Sequence, residues 1–181
     1  MKALFLDRDG VVIKYIPYLS QAEQVHISQG AKEALKTWQT QGYKLVIVTN
    51  QSGISRGYFN YDDVIAIHQK ILDEYGQFGV KFEDILLCPH QPADNCPCRK
   101  PSPYLLLNYS QKHNIDLSRS YFIGDAPSDI ECAINANCQP VLVLTGRGEE
   151  TKSKLSKYPI SIPIFNSLCE TVELAIMGNE E

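Results

Sequence analysis

The chain has 181 residues, 44% of them hydrophobic, and a formal net charge of −4. That is enough apolar material for one substantial core, and a single domain over 1–181 is expected. The acidic balance lacks the clustered Lys and Arg that nucleic acid would require, and no apolar run approaches the ~20 residues needed to span a bilayer. The start, MKALFLDRDG, meets charge too early for a secretion signal, so a cytoplasmic protein is expected.

Short apolar runs alternate with helical patterns along the chain, the signature of a parallel sheet covered by helices on both faces, a Rossmann-like α/β fold. The first strand is Ala3–Leu6, ending in Asp7-Arg8-Asp9-Gly10. Ala31, Ala34, Leu35 and Trp38 recur at helical spacing over Ala31–Thr40, and Gly42 marks the stop. Strand Lys44–Thr49 runs into Asn50-Gln51-Ser52. The longest helix spans Tyr61–Phe78, with Val64, Ile65, Ile67, Ile71, Leu72 and Tyr75 as a broad apolar face. Strand Asp84–Leu87 leads to Cys88; helix Pro103–His113 precedes strand Ser120–Ile123 and Gly124-Asp125; helix Pro127–Asn135 precedes strand Val141–Leu144. Thr145–Lys157, polar and charged, reads as a mobile surface segment, before a short strand near Ile160–Phe165 and a helix at Leu168–Met177. In open α/β sheets ligands bind beyond the carboxyl ends of the strands, and the chemically interesting residues all lie there.

Cys88, His90, Cys96 and Cys98 have a C-x-H-x5-C-x-C spacing that can close a tetrahedron around Zn²⁺. Four protein ligands leave no open position, so a structural role is expected. The other three of the six cysteines, Cys132, Cys138 and Cys169, sit among apolar neighbours and read as buried thiols. The zinc loop hands the chain directly to Arg99, Lys100 and Pro101. Lys100 is a point charge suited to phosphoryl oxygens and Arg99 a fork for carboxylate or phosphate, although either alone would pass for a surface cation. Asp7 and Asp9 alone are compatible with a turn; a calcium loop is excluded because Val11-Val12-Ile13 lacks further oxygen ligands. A second acidic pair, Asp125 and Asp129, changes the reading. Carboxylates gathered from two strand ends repel one another unless a hard cation such as Mg²⁺ lies between them. Thr49 and Asn50 supply a hydroxyl, an amide and loop N–H groups for a phosphate oxygen. His26, His68 and His113 have no partner at ligand spacing and read as non-catalytic.

The ordered set DRDGV, VTNQSG, CRKP and IGDAPSD resembles the haloacid-dehalogenase superfamily of aspartyl-phosphate phosphohydrolases, from Ala3 to about Leu144. Its zinc loop is similar to the branch holding heptose-bisphosphate and histidinol-phosphate phosphatases. The resemblance implies that Asp7 is the nucleophile and Asp9 the acid/base, that Thr49 and Lys100 bind the moving phosphoryl group, and that Asp7, the Asp9 backbone carbonyl and Asp125 hold Mg²⁺. Asn50, Gln51, Ser52, Arg56 and Arg99 would meet the rest of a small phosphorylated substrate, and Asp129 would brace the loop or a metal-bound water. One departure is Ala126-Pro127, where a lysine commonly follows the metal aspartate. The interval from Asp9 to Thr49 has no room for an inserted cap, so an open, capless site is expected; a monomer is expected as well. The leading expectation is removal of the 7-phosphate of a heptose bisphosphate, feeding lipopolysaccharide or related glycans. Histidinol phosphate is the enzymatic alternative, a zinc-loop binding module the non-enzymatic one.

Overall fold

The computed structural model describes residues 1–178. Six strands form one parallel sheet in the order β3-β2-β1-β4-β5-β6: β1 Ala3–Leu6, β2 Lys44–Asn50, β3 Phe82–Cys88, β4 Tyr121–Gly124, β5 Gln139–Val143 and β6 Ile164–Phe165. The central strands are apolar at consecutive positions because both faces of the sheet are covered. Side chains alternate across that sheet. Leu4 and Leu6 of β1 join one core with helices α1 (Ala31–Thr40) and α2 (Tyr61–Gly76), through Leu35, Trp38, Ile67, Ile71 and Tyr75. Ala3 and Phe5 face the other way, onto α3 (Tyr104–His113) and α4 (Pro127–Asn135), through Leu106, Tyr109, Cys132 and Ala133. The remaining helices are α5 (Gly148–Lys152) and α6 (Val172–Met177).

The α/β expectation holds, with differences in detail. Helix α2 stops at Gly76, and Ile65 on it is 60% exposed, so the buried face is narrower than the sequence reading. The last strand shrinks to two residues, and the final helix opens with a 3₁₀ turn at Leu168–Thr171. Cys169 in that turn is only partly buried, because Leu168 and Thr171 take the inward positions. The larger correction concerns Thr145–Lys157. This segment carries α5, and it packs against the strand ends: Thr145 Oγ1 donates to the Gly10 carbonyl at 2.5 Å and Thr151 Oγ1 to the Asp125 carbonyl at 2.7 Å. Thr145 and Thr151 turn inward, while the charged side chains of the segment stay on the surface, as its polarity indicates.

Between β1 and β2 lie only a 3₁₀ turn at Ala22–Gln24 and α1, so among the described residues no cap domain stands over the sheet. Strand order reverses beside β1, whose next neighbour in sequence lies on one side and β4 on the other. The crevice at this switch point is where such sheets bind ligands.

Candidate active site

Asp7 leaves β1 and Asp125 leaves β4, the two strands flanking the switch point, and the Asp7 N–H donates to the Ile123 carbonyl at 3.0 Å. Asp129 comes from the first turn of α4. Carboxylate oxygens of Asp7, Asp125 and Asp129 all lie within 4.8 Å of one another. Asp129 Oδ2 accepts from the N–H groups of Asp125 at 3.2 Å and Ala126 at 3.0 Å, which fixes the loop carrying Asp125. Gly10 and Gly146, both at positive φ, close the other side of Asp125. A Cβ on either would collide with the Asp125 carboxylate.

One cation answers these acids. Lys100, 4% exposed, donates from Nζ to Asp7 Oδ1 at 2.8 Å, Asp129 Oδ1 at 2.7 Å and the Val48 carbonyl at 2.8 Å, which uses all three of its protons. Its backbone is held too: Asn50 Nδ2 donates to the Lys100 carbonyl and Lys100 N–H to Asn50 Oδ1, each at 3.1 Å. Burial would lower the Lys100 pKa, but Asp129 and Asp7 outweigh it and hold the ammonium above its ordinary range. Burial and the neighbouring Asp129 push Asp7 well up, with Lys100 opposing. The same two causes raise Asp125 to about 6. Three carboxylates sharing one ammonium form a donor set suited to a hard divalent cation such as Mg²⁺, which accepts one or two carboxylates and keeps several waters.

Asp9 stands apart from that cluster. Arg8 forks onto it, with Nε to Oδ2 and Nη2 to Oδ1 both at 3.0 Å, and Gln51 Nε2 adds a bond to Oδ2 at 2.9 Å. Gln51 Nε2 also reaches Thr49 Oγ1 at 2.8 Å. Behind Arg8 lies His68, its Nε2 3.4 Å from Nη1. Arginine has no acceptor, so this contact requires an unprotonated Nε2. Burial and Arg8 lower the His68 pKa to about 4.

Cys88, at the end of β3, gathers with His90, Cys96 and Cys98. The Cys88–Cys96, Cys88–Cys98 and Cys96–Cys98 sulfur distances are 3.6, 3.1 and 3.7 Å, and His90 Nδ1 is 3.6 and 3.4 Å from Cys88 and Cys98. A zinc tetrahedron with Zn–S of about 2.3 Å and Zn–N of about 2.0 Å has edges of about 3.8 and 3.5 Å. Four of the five distances lie within about 0.2 Å of those edges, and the Cys88–Cys98 pair is closer. Burial acts to raise the Cys96 thiol, yet hydrogen bonds led by the Arg99 backbone N–H bring it down to about 7. Arg99 in turn donates from Nη1 to the His90 carbonyl at 3.0 Å.

These elements enclose an open cleft of about 310 Å³. It is lined by Asp7, Asp9, Asp125 and Lys100 together with Tyr15, Tyr18, Ser52, Arg56, Phe59, Arg99 and Arg147. Every residue given a site role from the sequence therefore falls at the cleft, behind it or in the adjoining thiol loop. Two contributors escaped the sequence reading. Arg8 drew no reading of its own from the run Asp7–Gly10, and Arg147 lay in the segment read as mobile. Its position beyond the carboxyl end of β5 was the available signal.

A family model described as HAD-hydrolase-like matches residues 97–171. D-glycero-beta-D-manno-heptose-1,7-bisphosphate 7-phosphatase of Helicobacter pylori is 42% identical over 145 residues, which cover 80% of this chain and 83% of that protein. The chain belongs to this family of haloacid-dehalogenase-like phosphatases. The Pseudomonas putida enzyme of the same name is 37% identical over 169 residues, covering 93% of this phosphatase and 95% of its relative. The crystal structure of the D,D-heptose 1,7-bisphosphate phosphatase of Bordetella bronchiseptica, complexed with magnesium and phosphate, superposes with a TM-score of 0.92 at 31% identity, covering 98% and 99% of the two chains. The phosphatase thus shares its fold along nearly its whole length with that structure.

Proposed function

We propose that this phosphatase removes the 7-phosphate of D-glycero-D-manno-heptose 1,7-bisphosphate through an aspartyl-phosphate on Asp7. The observation that carries the reading is the convergence of Asp7, Asp125 and Lys100 at the switch point of the sheet, in a chain whose matched relatives bear that name. Asp7, the Asp9 backbone carbonyl and Asp125 would hold Mg²⁺. Bound there, the ion screens the carboxylates and the phosphate from one another and orients the phosphoryl oxygens.

An Asp7 oxygen attacks phosphorus as the bond to the sugar oxygen breaks, and Asp9 gives that oxygen its proton. Water then attacks the same phosphorus, the Asp7 bond breaks, and Asp9 takes the proton from water. Lys100 and Thr49 would bind the transferred group. Asn50 acts through its clamp on the Lys100 backbone. Arg56, Arg99 and Arg147 line the same cleft and suit a second phosphate; a histidinol ammonium would meet guanidinium groups there. Zinc bound by Cys88, His90, Cys96 and Cys98 would be structural and hold Arg99 and Lys100 in place. A cytoplasmic setting, which keeps these thiols reduced, fits the same reading.

Asp7→Asn tests the assignment. Its turnover with Mg²⁺ should fall by at least about 10³-fold with the circular dichroism spectrum unchanged, and chelation of Mg²⁺ should stop the unmodified enzyme. Retention of turnover by Asp7→Asn would sink the covalent mechanism.

A further inference from the structure

Arg8 is a fully buried arginine, 1% exposed, placed between the two aspartates of the first loop. Its fork meets both oxygens of Asp9, and Gln51 adds a third donor, to Oδ2. An ionised carboxylate has about four acceptor positions, two on each oxygen. Both positions of Oδ2 are thus taken, while Oδ1 receives only Arg8 Nη2 and keeps one. A bidentate pair also fixes the plane of the carboxylate, which a lysine in the same place would not. Gln51 is anchored in turn by Thr49 Oγ1 and, through its backbone N–H, by the Cys88 carbonyl at 2.7 Å.

We infer that Arg8 and Gln51 orient Asp9 so that Oδ1 is the atom that hands a proton to the leaving alcohol and later takes one from water. The inference rests on the acid/base role given to Asp9 above. In the first half-reaction the sugar oxygen takes the Oδ1 proton as its bond to phosphorus breaks. In the second, water bonds to phosphorus, the Asp7–phosphorus bond breaks, and the proton released by water returns to Oδ1. Arg8 acts through Asp9 and is a positioning residue.

Arg8→Lys keeps the charge and removes the fork. It is compared with the unmodified enzyme by rapid mixing with a sugar phosphate and with p-nitrophenyl phosphate, whose leaving group departs as a stable anion and needs no proton. For Arg8→Lys, kcat on the sugar phosphate should fall about 10²-fold, the lower range of acid–base catalysis, with KM within about twofold. On p-nitrophenyl phosphate the same variant should give a burst approaching one nitrophenolate per active site and then slow turnover, because forming the aspartyl-phosphate needs no acid whereas its hydrolysis needs the base. Gln51→Met leaves the ion pair intact and should show the same pattern with a smaller loss, which also decides the matter if Arg8→Lys does not fold. Equal losses on both substrates without a burst, or normal turnover in the folded variants, would overturn the inference. Asp9→Asn is run alongside. If Asp9→Asn keeps full turnover, the acid/base assignment itself is lost; if it is inactive while Arg8→Lys and Gln51→Met are normal, only the orienting role fails.

Discussion

Lys100 donates to Asp7 at 2.8 Å although 93 residues separate them in the chain, and the lysine side chain is 3% exposed. The pair joins the loop after the thiol cluster to the end of β1, and its second carboxylate, Asp129, ties α4 to the same point. Removing one partner from a buried ion pair leaves the others uncompensated, which costs roughly 3–5 kcal/mol. Lys100→Met should therefore lose about 3 kcal/mol or more in urea unfolding without divalent cation, as well as its activity. A variant as stable as the parent would show that the ammonium does not offset the acids.

Arg147 reaches the cleft because its backbone N–H is pinned to Asp125 Oδ2 at 2.8 Å. Its side chain is the guanidinium contributed by the strand end of β5. Arg147→Met should raise KM for a sugar bisphosphate about tenfold, the loss of one charge-assisted contact of ~1.5 kcal/mol, and leave kcat within about twofold. On the corresponding monophosphate the variant should match the parent. Steady-state kinetics on the two substrates decide the point.

The thiol loop is expected to hold one Zn²⁺ per chain. Cys96→Ser should abolish that stoichiometry in metal analysis, lower Tm and reduce kcat, since Arg99 is tied to the His90 carbonyl and Lys100 follows it. A zinc-free variant with full Tm and kcat would remove the structural role.

His68 gives a pH signature. Its pKa is lowered from 6.5 to about 4 by burial and Arg8, so the folded state binds no proton where the unfolded chain does. The contribution is present above about 6.5 and is lost as pH falls toward 4, by up to roughly 3 kcal/mol. Asp7 and Asp125, raised in the folded protein, act in the opposite sense over acid pH. The measurable quantity is therefore the difference between parent and His68→Gln in unfolding free energy at pH 7 and pH 4.5. The parent should lose more than the variant on acidification; equal losses would contradict the buried neutral imidazole.

Much of this site was legible in the sequence. Asp7, Thr49, Cys88 and Asp125 each follow an apolar run, and the carboxyl-end rule then brings them to one edge without knowledge of the contacts. Lys100 was legible because it follows a metal-like loop. The roles of Arg8 and His68 were not, since a buried fork between neighbours in sequence looks the same as a solvated turn, and no spacing rule links position 8 to position 68. Thr145–Lys157 is largely exposed, as its polarity signals, but that polarity hid a short helix and three inward contacts. Here Thr145, Arg147 and Thr151 direct their polar atoms at Gly10 and Asp125, and Gly146 supplies the room. Helix α2 was overextended for a related reason: Phe78 is apolar but lies in the turn that leads to Gly79 at positive φ.

The most direct test of the central claim is ³¹P NMR of D-glycero-D-manno-heptose 1,7-bisphosphate incubated with the enzyme and Mg²⁺. The 7-phosphomonoester resonance should disappear as inorganic phosphate grows, while the anomeric 1-phosphate persists. Loss of the 1-phosphate first, or no turnover of the bisphosphate under conditions where histidinol phosphate is hydrolysed, would contradict the account.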